Sequence, residues 1–188
     1  MLNRIRLKLR FSFPAVLALL ICTDREGTAI LCLLGSLLHE MGHLIIMLFE
    51  KKPPSEIILY GGGIHIHGGS RSFPATLAGP MTNILLFVLF MLILPDTGNF
   101  RLFAVINLIL AAVNLLPVKE LDGRRILECS FIGIMPPERA MKAVDIAERA
   151  ALILVLPSVI LLVFSGYMSF SAIIFFFYLL AVDIFDKM

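Results

Sequence analysis

Long apolar segments separated by short polar ones recur along the whole chain. A helix needs about 20 residues to cross the hydrocarbon core of a bilayer, and most of these segments approach that length. The pattern predicts an all-α polytopic membrane protein with about six transmembrane helices. The predicted spans are residues 11–22, 29–49, 75–94, 102–117, 150–164 and 170–185.

The first apolar segment follows a basic N-terminus, as the apolar part of a secretory signal peptide does. No small-x-small cleavage site follows it, and the second apolar segment begins almost at once. We therefore expect the first segment to stay in the protein as a membrane helix. It is short for a span, so either Leu7 and Leu9 extend it or it crosses with little tilt.

The positions of the basic residues test this layout, because the cytoplasmic loops of membrane proteins are enriched in Lys and Arg. With six spans and a cytoplasmic N-terminus, 14 of the 16 Lys and Arg residues fall inside and only Arg25 and Arg101 fall outside. So uneven a distribution supports the number of spans. It also predicts that both termini are cytoplasmic.

Composition agrees with a membrane location. The chain of 188 residues is 59% hydrophobic, compared with about 45–50% in soluble domains, and its length suits a single domain. Mean hydropathy is +0.95. A net charge of +2 is too small to indicate a nucleic-acid partner, so the expected partners are the lipid bilayer and membrane proteins. The three cysteines have no paired spacing and are expected to be inert.

The loop between the second and third predicted spans combines strand-forming residues with glycines. Residues 57–60 favour a strand, and beyond the glycines Ile and His alternate up to His67. The glycines are Gly61, Gly62 and Gly63. This pattern predicts a glycine-rich, membrane-associated β-hairpin. His65 and His67 would share one face and could bind a metal, but a polar edge at the membrane interface is the preferred interpretation.

One polar cluster lies deep inside the second apolar segment. His39, Glu40 and His43 form the pattern H-E-x-x-H. Residues four apart share a helix face, so both imidazoles can bind one metal ion while Glu40 stands beside them. In zinc peptidases such a carboxylate accepts a proton from the metal-bound water. An ionised group at mid-membrane costs about 2.5–3.5 kcal/mol, so polar residues tolerated without a role are the less favoured alternative.

Two histidines leave a zinc ion short of a third protein ligand. The acidic residues in or near the remaining apolar segments are Asp96, Asp122 and Asp183. Asp96 falls on the far side of the membrane. Asp122 follows the fourth predicted span, where Pro117 and Gly123 can unwind the helix end and turn the carboxylate inward. We therefore favour Asp122, with Asp183 and the hairpin histidines as alternatives.

Taken together, these motifs resemble those of the site-2 protease family of intramembrane zinc metalloproteases. The resemblance covers H-E-x-x-H at 39–43, A-G-P-M-T-N at 78–83, N-L-L-P at 114–117 and L-D-G at 121–123, in that order. With the glycine hairpin and six spans it is greatest for the branch that contains the stage IV sporulation protease, which processes a membrane-tethered pro-sigma factor. It implies a single intramembrane metalloprotease domain over residues 1–188.

The resemblance also implies roles for particular residues. His39, His43 and Asp122 would bind one Zn²⁺, Glu40 would be the general base, and Asn114 would help to hold the substrate or the oxyanion. That substrate would be a membrane-embedded protein, such as a membrane-tethered transcription factor or an anti-sigma factor. The pair Gly79-Pro80 is expected to form a close helix contact rather than to act in catalysis.

The hairpin is expected to bind substrate. Its glycines, Gly61, Gly62 and Gly63, offer strand edge to which an extended peptide could be added. The family usually has a second glycine where this chain has Arg124, and an apolar residue or proline where it has Lys119-Glu120. These departures leave the ligands intact and are expected to affect substrate details rather than activity.

Regulation through an appended domain or a PDZ insertion is not expected from the sequence. The alternative function is that of a catalytically silent membrane protein, which uses the buried His and Glu residues for ion or proton movement or as a binding scaffold. A transporter would be expected to show inverted repeats or paired broken helices. The sequence shows neither.

Overall fold

The structure is a computed structural model, and it describes most of the chain. The described residues are 6–14, 18, 22, 27–60, 63–70, 72–93, 98–119 and 121–164. Half of the first predicted span, residues 15–17 and 19–21, therefore lies outside the described residues. The sixth span, Gly61, Gly62, Asp96 and Asp183 lie wholly outside them.

Helices dominate the part of the chain that the structure describes. They are α1 (Thr28–Phe49), α2 (Phe73–Val88, continued by a π-helical segment Leu89–Ile93), α3 (Gly98–Asn114), α4 (Asp122–Ile132) and α5 (Pro137–Phe164). Among them, Thr28–Phe49 and Phe73–Leu92 are long and apolar enough to cross a membrane, and Gly98–Asn114 is a shorter apolar helix. These three coincide with predicted spans, as does the C-terminal half of α5.

The outer face of α1 is a continuous apolar stripe. Its members recur every three or four residues and are 43–53% exposed: Ile30, Leu34, Leu37, Met41, Ile45 and Leu48. The opposite face is buried and consists of small and polar residues, namely Gly35, His39, Gly42 and His43. Soluble monomers rarely leave so long an apolar stripe in water. A helix with small and polar residues inside and large apolar residues outside suits contact with lipid.

Two glycines on the buried face let neighbouring helices approach α1 closely. A Cβ on Gly42 would overlap Thr82 of α2, and a Cβ on Gly35 would lie 2.8 Å from Leu110 Cδ1 of α3. Any larger residue at either position would push the helices apart. The two contacts hold the face that carries His39 and His43 against both neighbours.

The N-terminus of α2 is tied to the end of α1. Ser72 is the N-cap residue, and its hydroxyl oxygen accepts a hydrogen bond from the Ala75 N–H at 3.2 Å. The same hydroxyl donates to Glu50 Oε1 at 2.6 Å. Hydrogen bonds from the hydroxyls of Ser70 and Ser72 lower the pKa of Glu50, so this acceptor stays ionised at neutral pH. The link fixes where α2 begins beside α1, and Ala75 lies one turn further on.

A three-stranded sheet lies outside the helices, in the order β1 (Arg6–Leu9), β2 (Pro54–Tyr60) and β3 (Gly63–Gly68). Strands β2 and β3 are antiparallel, with Tyr60 opposite Gly63. Strand β1 runs parallel to β2, and Lys8 Nζ lies 2.6 Å from Glu56 Oε1. The predicted all-α class therefore needs correction, because the protein is mostly helical with a small sheet.

The sheet also corrects one prediction for the N-terminus. Leu7 and Leu9 do not extend a membrane helix; they belong to β1 and pair with Ile57 and Leu59. The reason is that β2 offers a free edge to a short segment of alternating charged and apolar residues. Backbone hydrogen bonds to that edge decide the conformation of residues 6–9, and their own hydropathy does not.

Candidate metal centre

Three side chains from two helices converge on one point. His39 and His43 project from the buried face of α1 and are 5% and 7% exposed, while Asp122 opens α4. The Nε2 atoms of the two histidines are 3.1 Å apart. Asp122 Oδ2 lies 3.0 Å from His39 Nε2 and 3.1 Å from His43 Nε2. The structure thus brings together the three residues that the sequence proposes as ligands.

This triangle of atoms has the size of a zinc site. A tetrahedral ion with bonds of about 2.0–2.1 Å separates its ligand atoms by about 3.3–3.4 Å. The observed sides of 3.0–3.1 Å are shorter by only a few tenths of an ångström. The donor set of two imidazole nitrogens and one carboxylate oxygen is also one that zinc enzymes use. The residues present therefore fit a zinc ion.

The hydrogen bond that His43 makes through Nδ1 suits a metal ion at the triangle. His43 Nδ1 lies 2.7 Å from the Ala75 carbonyl oxygen and donates its hydrogen to it, so Nε2 of the neutral ring carries a lone pair. That lone pair then faces both a carboxylate oxygen and a second ring nitrogen. A cation shared by the three atoms removes this repulsion. The Ala75 carbonyl has the further effect of fixing the ring orientation of His43.

Glu40 lies beside the triangle on the same helix. Together with His39 and His43 it forms a group whose metal-ligating atoms all lie within 4.8 Å of one another. Unlike the histidines, Glu40 is partly exposed. It is close enough to act on a molecule bound at the metal position without being needed as a ligand.

A glycine on α2 provides the space in which the triangle forms. A Cβ on Gly79 would lie 2.6 Å from His39 Nε2 and closer still to His43 Nε2. The prediction that Gly79-Pro80 forms a close helix contact agrees with this geometry, and Pro80 is fully buried. The partner at that contact is the pair of histidine rings.

Gly79→Ala should therefore weaken metal binding by at least about tenfold, because its methyl group occupies the volume next to both ring nitrogens. Metal content of the purified variant, measured by mass spectrometry, checks this. The matched control is Gly98→Ala, since a Cβ at Gly98 meets nothing within 4 Å. A Gly79→Ala protein that binds metal like the control would show that the contact does not limit the site.

A tight turn delivers Asp122 from α3 to the histidines. Gly123 is buried, and a Cβ there would overlap the carbonyl groups of Leu115 and Leu116, which follow the end of α3. Asn114 is the last residue of α3, and its side-chain nitrogen donates to the Leu110 carbonyl at 3.0 Å. The structure thus places Asn114 on the segment that packs against the Asp122 turn. Its proposed role toward substrate stays a prediction.

Arg124 fixes the other side of this turn. Its guanidinium donates to Glu128 at 3.0 Å, to Asp145 at 2.8 Å and to Glu148 of α5. The hydrogen bond to Asp145 is the main reason that the pKa of Arg124 is raised. Glu148 also accepts a hydrogen bond from the Lys119 N–H at 2.9 Å. The backbone of Lys119 and the side chain of Arg124 thus bind the same carboxylate.

Glu148→Gln should weaken metal binding by a few-fold, because it loosens the turn that positions Asp122 without touching a ligand. Titration of the metal against a chelator measures the affinity. Glu138→Gln, at an exposed position of the same helix, is the control. Equal affinities in the two variants would show that α5 does not position the turn.

Among the other sequence candidates, Asp183 and the side chain of His65 lie outside what the structure describes, and His67 does not belong to the group that converges here. His67 lies in β3 opposite Glu56, which suits the predicted polar edge better than a ligand. Gly63 begins β3. One further contact was missed by the sequence analysis: Asn83 of α2 lies 3.1 Å from His39 Nδ1. Its signal was a polar residue in the middle of an apolar helix.

A buried His-His-Asp site with an adjacent glutamate, enclosed by apolar helices, has the features of an intramembrane metallopeptidase. No family model matches the chain. Its fold is similar to that of the site-2 protease from Methanocaldococcus jannaschii, with a TM-score of 0.60 over 87% of this chain and 84% of that one, at 20% sequence identity.

Two relatives are similar in sequence. The chain is 34% identical over 124 residues to stage IV sporulation protein FB of Bacillus subtilis, a match that covers 60% of this chain and 43% of the relative. It is 29% identical over 114 residues to a candidate zinc metalloprotease of Synechocystis, covering 54% and 30%. The matched regions span less than half of either relative. The predicted resemblance to site-2 proteases and to the stage IV sporulation branch is confirmed.

Proposed function

We propose that the protein is an intramembrane zinc metalloprotease, which hydrolyses a peptide bond within or near a transmembrane segment of a membrane protein. The observation that carries the proposal is the triangle of His39, His43 and Asp122, with sides of 3.0–3.1 Å, beside Glu40. A silent scaffold or an ion pathway needs buried polar groups, but it does not need three ligand atoms at tetrahedral spacing next to a base.

The residues at the site have different roles in hydrolysis. His39, His43 and Asp122 would hold the zinc ion, which would lower the pKa of a coordinated water to about 7 and polarise the substrate carbonyl. Glu40 accepts the proton of the attacking water and later returns it to the leaving amine. Asn114, at the end of α3, is proposed to donate a hydrogen bond to the substrate or the oxyanion.

We propose that water reaches this site from one side of the membrane. The histidines are buried between α1 and α2, while the Asp122 side chain is 13% exposed at the beginning of the polar helix α4. The Lys and Arg distribution supports a cytoplasmic location for that end of the helices. We propose that water enters from the cytoplasm and that cleavage occurs in the inner half of the membrane.

The same orientation defines the topology we propose: six spans, at the positions that the apolar pattern predicts, with both termini cytoplasmic. The lipid-facing stripe of α1 and the two helices long enough to cross a membrane support it. The substrate would be a membrane-embedded protein, such as a membrane-tethered transcription factor or anti-sigma factor, and cleavage would release a cytoplasmic fragment.

The sheet is proposed to hold the substrate in an extended form. Within the described strands, the sheet order β1-β2-β3 leaves the outer edges of β1 and β3 for an added strand, and we propose the edge of β3, which begins at Gly63. Gly61 and Gly62, which precede Gly63 in the sequence, are proposed to bind the substrate with it. Such pairing would satisfy the backbone groups that a transmembrane helix exposes when it is unwound.

Coexpression with a panel of single-pass membrane proteins tests the function. The native protein should produce a shortened fragment from at least one of them, and Glu40→Gln should not. A fragment that forms equally with both would show that another protease makes the cut.

Cysteine labelling should confirm the orientation. In a background without Cys22, Cys32 and Cys129, a cysteine at the exposed Lys52 should react with an impermeant thiol reagent only after the membrane is opened. A cysteine at the exposed Gly98, on the predicted outer side, should react in intact cells. The reverse pattern would invert the proposed topology.

A further inference from the structure

Asn83 is a fully buried polar residue that the proposed chemistry does not use. It lies on α2, it is 0% exposed, and its side-chain amide is 3.1 Å from His39 Nδ1. The amide nitrogen is the nearer atom, and the amide oxygen has no hydrogen-bond partner. Burying an amide oxygen without a hydrogen-bond donor costs free energy, so the missing donor of Asn83 needs an explanation.

The ligand geometry supplies that explanation. His39 turns Nε2 toward Asp122 and His43, at 3.0 and 3.1 Å. A neutral imidazole that binds a metal through Nε2 carries its single proton on Nδ1. The group that faces Nδ1 must then accept a hydrogen bond, and an amide nitrogen cannot. A half-turn of the Asn83 amide places its oxygen at this position and gives the orphaned oxygen a donor.

We propose that Asn83 is a positioning residue, whose side-chain oxygen accepts a hydrogen bond from His39 Nδ1–H and holds Nε2 toward the metal. This inference rests on the proposed zinc site. The other ligand has an equivalent restraint, since His43 Nδ1 donates to the Ala75 carbonyl at 2.7 Å. Both restraints come from α2. That helix therefore orients both rings of the H-E-x-x-H motif without contributing a ligand, as outer-shell partners of metal-bound histidines do.

Zinc affinity measured by chelator competition on the full-length protein tests the role of Asn83. Asn83→Leu, which is similar in size but accepts no hydrogen bond, should lower the affinity about 10- to 100-fold. Asn83→Asp restores an acceptor and should stay within about threefold of the native protein. The matched control is Asn107→Leu, because Asn107 is equally buried on α3 but donates to the Phe103 carbonyl of its own helix.

The Asp variant decides the question even where the Leu variant fails to fold. If an acceptor at this position does not hold the ring, Asn83→Asp should not preserve binding, and a fall in affinity of at least about tenfold would overturn the proposal. Native-like affinity in a folded Asn83→Leu protein would overturn it as well. Nitrogen NMR of labelled histidine in the zinc-loaded protein should show a protonated Nδ1 at His39. A native protein that binds no zinc would instead refute the proposed function itself.

Discussion

Glu40→Gln should lower the rate of peptide cleavage by about 10²–10⁴-fold and leave the protein folded with its zinc bound. The amide of glutamine can take part in a hydrogen bond, but it cannot accept the proton of the attacking water. His39, His43 and Asp122 already supply three ligand atoms 3.0–3.1 Å apart, so we expect the metal to stay bound when Glu40 is replaced. Cleavage of a coexpressed substrate and the zinc content of the purified variant measure the two effects separately.

Glu138→Gln, at an exposed position of α5, makes the same chemical change far along the chain and should cleave like the native protein. A Glu40→Gln protein that keeps activity within about tenfold of native would lose less than the removal of a general base costs. Another group would then have to be the general base.

Asp122→Asn and His43→Ala should each reduce the zinc content from about one ion per chain to a small fraction of that. Each change removes one side of the triangle, and two remaining protein ligands do not make a stable site. Glu138→Gln, at an exposed position of α5, is the control, because neither the ligand triangle nor the Arg124 contacts involve it. Mass spectrometry of the purified proteins gives the metal content.

Full retention of zinc in Asp122→Asn would move the third ligand elsewhere. Asp183 and the two hairpin histidines, His65 and His67, would be the next residues to replace. Retention in His43→Ala would be more serious, because it would remove the H-E-x-x-H motif from the metal site altogether.

The apolar pattern was sufficient to locate the helices that the structure describes. Residues 29–49 form α1 almost as predicted, because a mostly apolar segment of that length has few other stable conformations in a membrane. The face that α1 buries could also be predicted from the sequence, since glycines and histidines alternate with large apolar residues at helical spacing. Local sequence alone determines both features.

The sheet could be predicted only in part. Strand propensity and glycines marked β2 and β3, but β1 comes from a segment of four residues that pairs in parallel with β2, about 50 residues away in sequence. Such pairing depends on the edge that the partner offers. A short segment with alternating charged and apolar residues carries no signal for it.

The metal site, like the sheet, could be predicted only in part from the sequence. The spacing of His39 and His43 is local, and Asp122 was one of few acidic residues available. The contacts that hold these residues in place come from elsewhere in the chain: Asn83 beside His39, and Glu148 on the turn before Asp122. Arg124 departs from the family pattern, and in the structure it forms ion pairs with three carboxylates. Two of these lie on α5, so the sequence around Arg124 does not predict them.

X-ray absorption at the zinc edge tests the central claim most directly, because it reports which atoms surround the metal in the purified protein. We expect a four-coordinate zinc with two imidazole nitrogens and light oxygen ligands at about 2.0–2.2 Å. Both imidazoles should remain in Glu40→Gln, and the small amount of zinc that His43→Ala retains should have lost one of them. Sulfur in the first shell, or a spectrum that is unchanged by His43→Ala, would contradict a zinc site built from His39, His43 and Asp122.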